Sequence, residues 1–115
     1  VQHVVPALFD LAASGDISLE LLVDRACHAP ADIFGVVERG YVREGWYADL
    51  IVVDPETPAA VTGESVLAKC GWSPFEDHTF GSTIRQTFVN GQLAYADGKL
   101  TGAIAGQRLH CNRAR

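Results

Sequence analysis

With 115 residues, 48% of them apolar and 20% charged, the chain has the size and composition of one globular domain. A net charge of -5 with no Lys/Arg stripe argues against nucleic acid and anionic membranes as partners, and no apolar run reaches the roughly 20 residues that span a bilayer. Cys27, Cys70 and Cys111 are far apart and lack CxxC spacing, which points to ordinary thiols or small core residues in a reducing, cytoplasmic compartment rather than a disulfide framework.

The chain opens on a helical pattern. Val1, Val4, Val5, Leu8, Phe9, Leu11 and Ala12 recur at three-to-four spacing, which predicts a helix over Gln2–Ala13 with Pro6 in its first turn. Ser14-Gly15 ends it. Ser18 is a fitting N-cap for a second helix whose apolar face is Leu19, Leu22, Val23 and Ala26, and His28-Ala29-Pro30 is expected to break it. A short third helix, Pro30–Phe34, stops at Gly35. There is no Met, the first residue is Val1, and the helical pattern is already running there. The expectation is the C-terminal piece of a longer protein.

From Val36 the pattern turns to β. Arg39–Val42 and Ala48–Val53 read as strands around a turn at Gly45, the second as a buried strand closed by Asp54-Pro55. A long irregular connection follows, with one helical turn over Glu64–Lys69 capped by Thr62 or Ser65. Ile84–Val89 and Gln92–Ala96 flank Asn90-Gly91, the favoured type I′ hairpin turn, and Asp97-Gly98 offers a second turn. Beyond Leu100 an extended or frayed tail is expected. Helices first and strands second predict an α+β arrangement, or two different parts of a larger fold.

Chemistry is sparse. His3, His28, His78 and His110 share no HxH or HxxxH spacing. His3 reads as a surface or interface residue and His28 as a capping or packing residue. His78 beside Glu76 and Asp77 could hold a metal weakly, although a solvated loop is the simpler reading. Cys70 could be a nucleophile with His78 as its base, a pairing with little local support. Asp49 reads as a cap of its own turn and Asp54 as a turn opener. No GxGxxG, P-loop or GxSxG is present. No catalytic, cofactor-binding or metal-ligating residue is assigned.

Three stretches resemble the C-terminal region of cyclic amidohydrolases, in the dihydroorotase–allantoinase branch and nearest to dihydroorotase. They are the Gly45–Pro55 strand with its Ala48-Asp49-Leu50 core, Ser73-Pro74-Phe75, and the Thr87–Gly91 hairpin. The helical segment Ser18–Gly35 resembles what precedes them, and the likeness runs from residue 1 to about residue 100. Asp77 stands where the family usually has Gly, and Trp46-Tyr47 carries more aromatic area than usual there.

The resemblance implies a metal-dependent TIM-barrel hydrolase with a small β-sandwich. Residues 1–35 would be the last helices of the barrel, 36–100 sandwich strands and their connecting loop, and 101–115 a tail. It implies a small cyclic amide as substrate, reversible hydrolysis of dihydroorotate to N-carbamoyl-aspartate in pyrimidine biosynthesis, and two zinc ions in the parent enzyme. It also implies a homo-oligomer. None of the family's ligand motifs occurs in these residues, so the 115 residues are expected to be inactive alone. Allantoinase or another cyclic ureidase is the alternative substrate reading. A non-catalytic, dihydroorotase-like scaffold is the alternative class.

Overall fold

The computed structural model describes residues 1–112. Helix α1 spans Val4–Ala13. Pro6 stands in its first turn, where the missing N–H leaves no helical bond unmade. Ser14 closes α1, and Gly15 follows at φ +84°, the left-handed residue that lets the chain turn away. Ser18 accepts a hydrogen bond from Leu21 N–H at 3.1 Å and so starts α2, Leu19–Val23.

The expected break at His28-Ala29-Pro30 does not occur. The chain passes through a π-helical turn, Asp24–His28, directly into α3, Ala29–Phe34. Pro30 can neither donate to the carbonyl four residues back nor tolerate its close approach. The wider turn before it relieves that conflict without ending the helix, and Ala29 N–H bonds back five residues to Asp24. Gly35, at φ 60°, terminates α3.

Residues 39–42 do not form the expected strand. Glu38 and Gly40 both take left-handed φ, 56° and 83°, which no strand accommodates. Gly40 is also a point of close approach. A Cβ there would lie 2.4 Å from Ala31 Cβ and 2.8 Å from the Cys27 carbonyl oxygen. His28 Nδ1–H donates to the Gly40 carbonyl at 2.6 Å, and its ring stacks on Tyr41 at 4.1 Å. The segment is thus a loop pressed onto the helices.

The main sheet is antiparallel and ordered β1-β4-β5-β6, from Leu50–Asp54, Thr83–Val89, Gln92–Ala96 and Lys99–Leu100. β1 lies at an edge, and its Leu50, Ile51 and Val52 are 38%, 45% and 45% exposed. It is therefore not the buried strand its apolar run suggests. The hairpin turn is as expected: Asn90 and Gly91 have φ 50° and 77°, and Val89 pairs with Gln92. Asp97-Gly98 makes the second turn, into β6.

The long connection holds a small second sheet, β2 (Ala59–Ala60) with β3 (Thr79–Phe80), which α1 touches. Its helical turn is shorter than expected, a 3₁₀ turn over Gly63–Ser65, in which Ser65 Oγ accepts from Thr62 N–H at 3.0 Å. The tail is extended, but residues 101–112 are tied down rather than frayed. Thr101 N–H bonds to Ala94, Val37 N–H to the His110 carbonyl, and Asn112 N–H to Gly35. Residues 113–115, the rest of the expected tail, lie outside the described residues.

The architecture is α+β, with helices before strands. Its core is thin. The buried apolar residues among those described are Pro6, Leu22, Ala31, Val61, Phe80 and Ala105. Val4, Leu11, Ile33, Phe34 and Val42 are exposed.

Candidate functional site

Two polar clusters organise the molecule. The first centres on Arg39, which is 8% exposed although it lies in a loop. Its guanidinium donates to Asp49 Oδ2 and to Asn90 Oδ1, and it stacks over the Tyr47 ring at 4.1 Å. Asp49 Oδ1 accepts from Asn90 N–H at 2.8 Å. Asp49 therefore does not cap its own turn. It clamps the distant β4–β5 turn to the approach of β1, and Gly91 N–H to the Ala48 carbonyl at 3.0 Å completes the clamp. A buried charge must be paired and hydrogen-bonded to be tolerated, and Arg39 is both.

The second cluster joins α1 to the long connection. Ser73 Oγ lies 3.0 Å from His3 Nδ1 and accepts from Phe75 N–H at 3.1 Å. His3 packs against Phe75 and Phe80, each 5.8 Å away. Burial lowers the His3 pKa below 6.5. Asp10 accepts from Gly81 N–H at 2.9 Å and lies 3.5 Å from His78 Nε2. Gln2 bonds both the Ser65 carbonyl and Leu67 N–H. The Ser–His contact is not a nucleophile–base pair: Ser73 is 7% exposed, its oxygen is committed to Phe75, and the cluster's acid sits on His78 instead of His3.

The remaining candidates are placed as follows. His28 packs, as described. His78 packs edge-on against Phe80 at 4.6 Å. Cys27, Cys70 and Cys111 are free and exposed, so none serves as a core residue. Cys70 Sγ–H points to the Trp72 carbonyl at 3.5 Å and makes no bond to His78. His110 contributes its backbone carbonyl to the tail bridge. Asp54 is more than a turn opener. It accepts from Thr57 Oγ1 at 2.8 Å, Glu56 N–H at 3.0 Å and Arg85 at 2.9 Å. Those bonds, that of Thr57 foremost, hold its pKa down at about 2.

Among the described residues no three His, Cys, Asp or Glu side chains gather as a metal site. These residues do not fit the two-metal centre implied by the resemblance. No described helix is long and apolar enough to cross a membrane. An open apolar groove of about 400 Å³ runs between α1 and the sheets, walled by Pro6, Val61, Phe80, Ile84, Tyr95 and Leu100. The buried Ser82 hydroxyl on its wall has no partner among the described residues.

The Amidohydrolase family model matches residues 3–94. The chain belongs to the amidohydrolase family. Among relatives of this amidohydrolase chain, a dihydroorotase of Halobacterium salinarum is 33% identical over 109 residues, covering 95% of the chain and 25% of the relative. An allantoinase of Bacillus velezensis is 36% identical over 105 residues, covering 90% and 23%. The L-hydantoinase (dihydropyrimidinase) structure from Arthrobacter aurescens superposes with a TM-score of 0.76 at 27% identity, over 83% of the chain and 22% of that protein. The amidohydrolase chain thus spans about a quarter of the length of the curated relatives it matches.

Sequence alone marks Arg39 only as a strand residue and Asn90 only as a turn residue, and it does not indicate that the two meet.

Proposed function

We propose that this chain is the C-terminal part of a cyclic amidohydrolase, a dihydroorotase in particular, and that it supports the reaction without performing it. The observation carrying this reading is the use made of its polar side chains. Arg39, Asp49, Asp54, Ser73 and His28 are each committed to holding one element against another. The overall reaction adds water across a ring amide, breaking the C–N bond to give a carboxylate and a ureido group. The groups that do this, and the zinc pair of the parent, belong to residues outside these 115. In this proposal the helices of residues 1–35 pack against the barrel, and 36–100 build part of the sandwich. The exposed apolar residues Val4, Leu11, Ile33 and Phe34 and the open groove support such covering surfaces. Homo-oligomerisation and a cytoplasmic location are part of the same proposal.

The allantoinase reading has its own support in the 36% identity to the Bacillus velezensis enzyme. The test is direct. The 115-residue chain, supplied with zinc, should turn over neither dihydroorotate nor allantoin, whereas the longer protein containing it should hydrolyse dihydroorotate in preference to allantoin. Turnover by the 115 residues alone would overturn the supporting role. Preference of the longer protein for allantoin would move it to the second reading.

A further inference from the structure

We propose that the Asn90 carboxamide is a latch that couples the buried Arg39 pair to a C-terminal strap, residues 101–112, which binds the sheet to the helices. The strap leaves the sheet at Thr101, whose N–H bonds to Ala94 at 3.0 Å and whose hydroxyl bonds to the Leu93 carbonyl at 2.6 Å. It ends on the loop after α3, where Val37 N–H bonds to His110 at 2.9 Å and Asn112 N–H to Gly35 at 2.8 Å, around an antiparallel bridge of Val36 with Cys111. Midway, Ala105 is 6% exposed, and its carbonyl accepts from Asn90 Nδ2.

The orientation of the Asn90 amide is forced. A guanidinium only donates, so the oxygen must face Arg39, and a carbonyl only accepts, so the nitrogen must face Ala105. One side chain thus serves two partners of opposite demand. Turn geometry does not by itself select Asn here, because Asp and Gly also accept the left-handed φ of a type I′ turn. Aspartate would satisfy Arg39 at least as well, as a charged acceptor. It would fail toward Ala105, where it has no donor and sets two oxygens face to face, while the second carboxylate it places beside Asp49 keeps the Arg39 guanidinium between the two charges. The strap is therefore the partner that needs the amide's donor, which a carboxylate cannot supply.

Asn90→Asp separates the two contacts. The measurement is residue-resolved amide hydrogen exchange on the intact chain, with Val37 and Asn112 reporting on the strap and Gly91 and Asp97 on the hairpin, whose N–H groups bond to Ala48 and Arg85. The expected result is exchange faster by roughly five- to tenfold at Val37 and Asn112, the scale of one lost net hydrogen bond, with Gly91 and Asp97 changed by less than about twofold. Asn90→Gly keeps the turn and removes both side-chain bonds. It should also accelerate Val37 and Asn112, and it carries the test should the carboxylate prevent folding. Unchanged exchange at Val37 and Asn112 in either variant, or equal acceleration at all four amides in Asn90→Asp, would overturn the latch.

Discussion

The Arg39 guanidinium bonds to Asn90 Oδ1 across 51 residues of sequence, and the same guanidinium holds Asp49. Through these bonds the loop after the helices, the approach to β1 and the β4–β5 turn meet at one buried cation. Replacing Arg39 by Met leaves Asp49 and Asn90 without their shared donor. Urea unfolding should show a loss of about 2–3 kcal/mol, below the full cost of breaking a buried pair because the Asp49 side chain keeps 37% exposure. Arg39→Lys should restore little, since one ammonium lacks the planar fork that reaches both acceptors. Full recovery with Lys would show that charge alone matters there.

Two glycines with similar φ separate strain from crowding. Gly40 and Gly91 have φ 83° and 77°, but only Gly40 has neighbours where a Cβ would go. Gly91→Ala should cost about 1 kcal/mol, the backbone penalty alone. Gly40→Ala must in addition push Ala31 and the Cys27 carbonyl aside and should cost about 3 kcal/mol or more in thermal or urea melts. Equal losses would mean that the loop is not pressed on the helices as described.

Acid stability should depend on Asp54. Its carboxyl is held at about 2, against an ordinary 3.8. A lowered folded-state pKa means that the unfolded chain binds the proton first. The stabilisation is therefore complete above about 4 and is lost as pH falls toward about 2. Asp54→Asn should flatten the stability profile across that window and leave its shape near neutrality unchanged. An unaltered acid limb would remove Asp54 from the account.

His3 carries the opposite kind of group, a base whose neutral form is preferred. Its pKa lies below 6.5, so the unfolded chain takes up this proton more readily and stability falls as pH drops through about 6.5. Titration of the His3 ring by NMR should give a midpoint under 6.5, and Ser73→Ala should perturb the His3 resonances while leaving the Asn90 turn unmoved. A midpoint above 6.5 would show that the ring is not buried against Phe75 and Phe80 as described.

What the sequence determined by itself was set by local physics. Asn90-Gly91 and Asp97-Gly98 demand left-handed backbone, Ser18 supplies an acceptor for a bare helix start, and Gly35 ends a helix, so each could be assigned from a few neighbouring residues. The family was legible too, because the Ala48-Asp49-Leu50 strand, the Ser73–Phe75 loop and the hairpin lie in a fixed order. Tertiary structure alone decided the rest. Periodicity counts apolar residues but cannot say whether a strand sits at an edge, so β1 was expected buried and is exposed. A glycine between β-prone residues does not announce that a helix will press on it, so residues 39–42 read as a strand from sequence and form a loop. The partners of Arg39, Asp49 and Asn90 lie between 10 and 51 residues apart, and no local pattern encodes a contact of that reach.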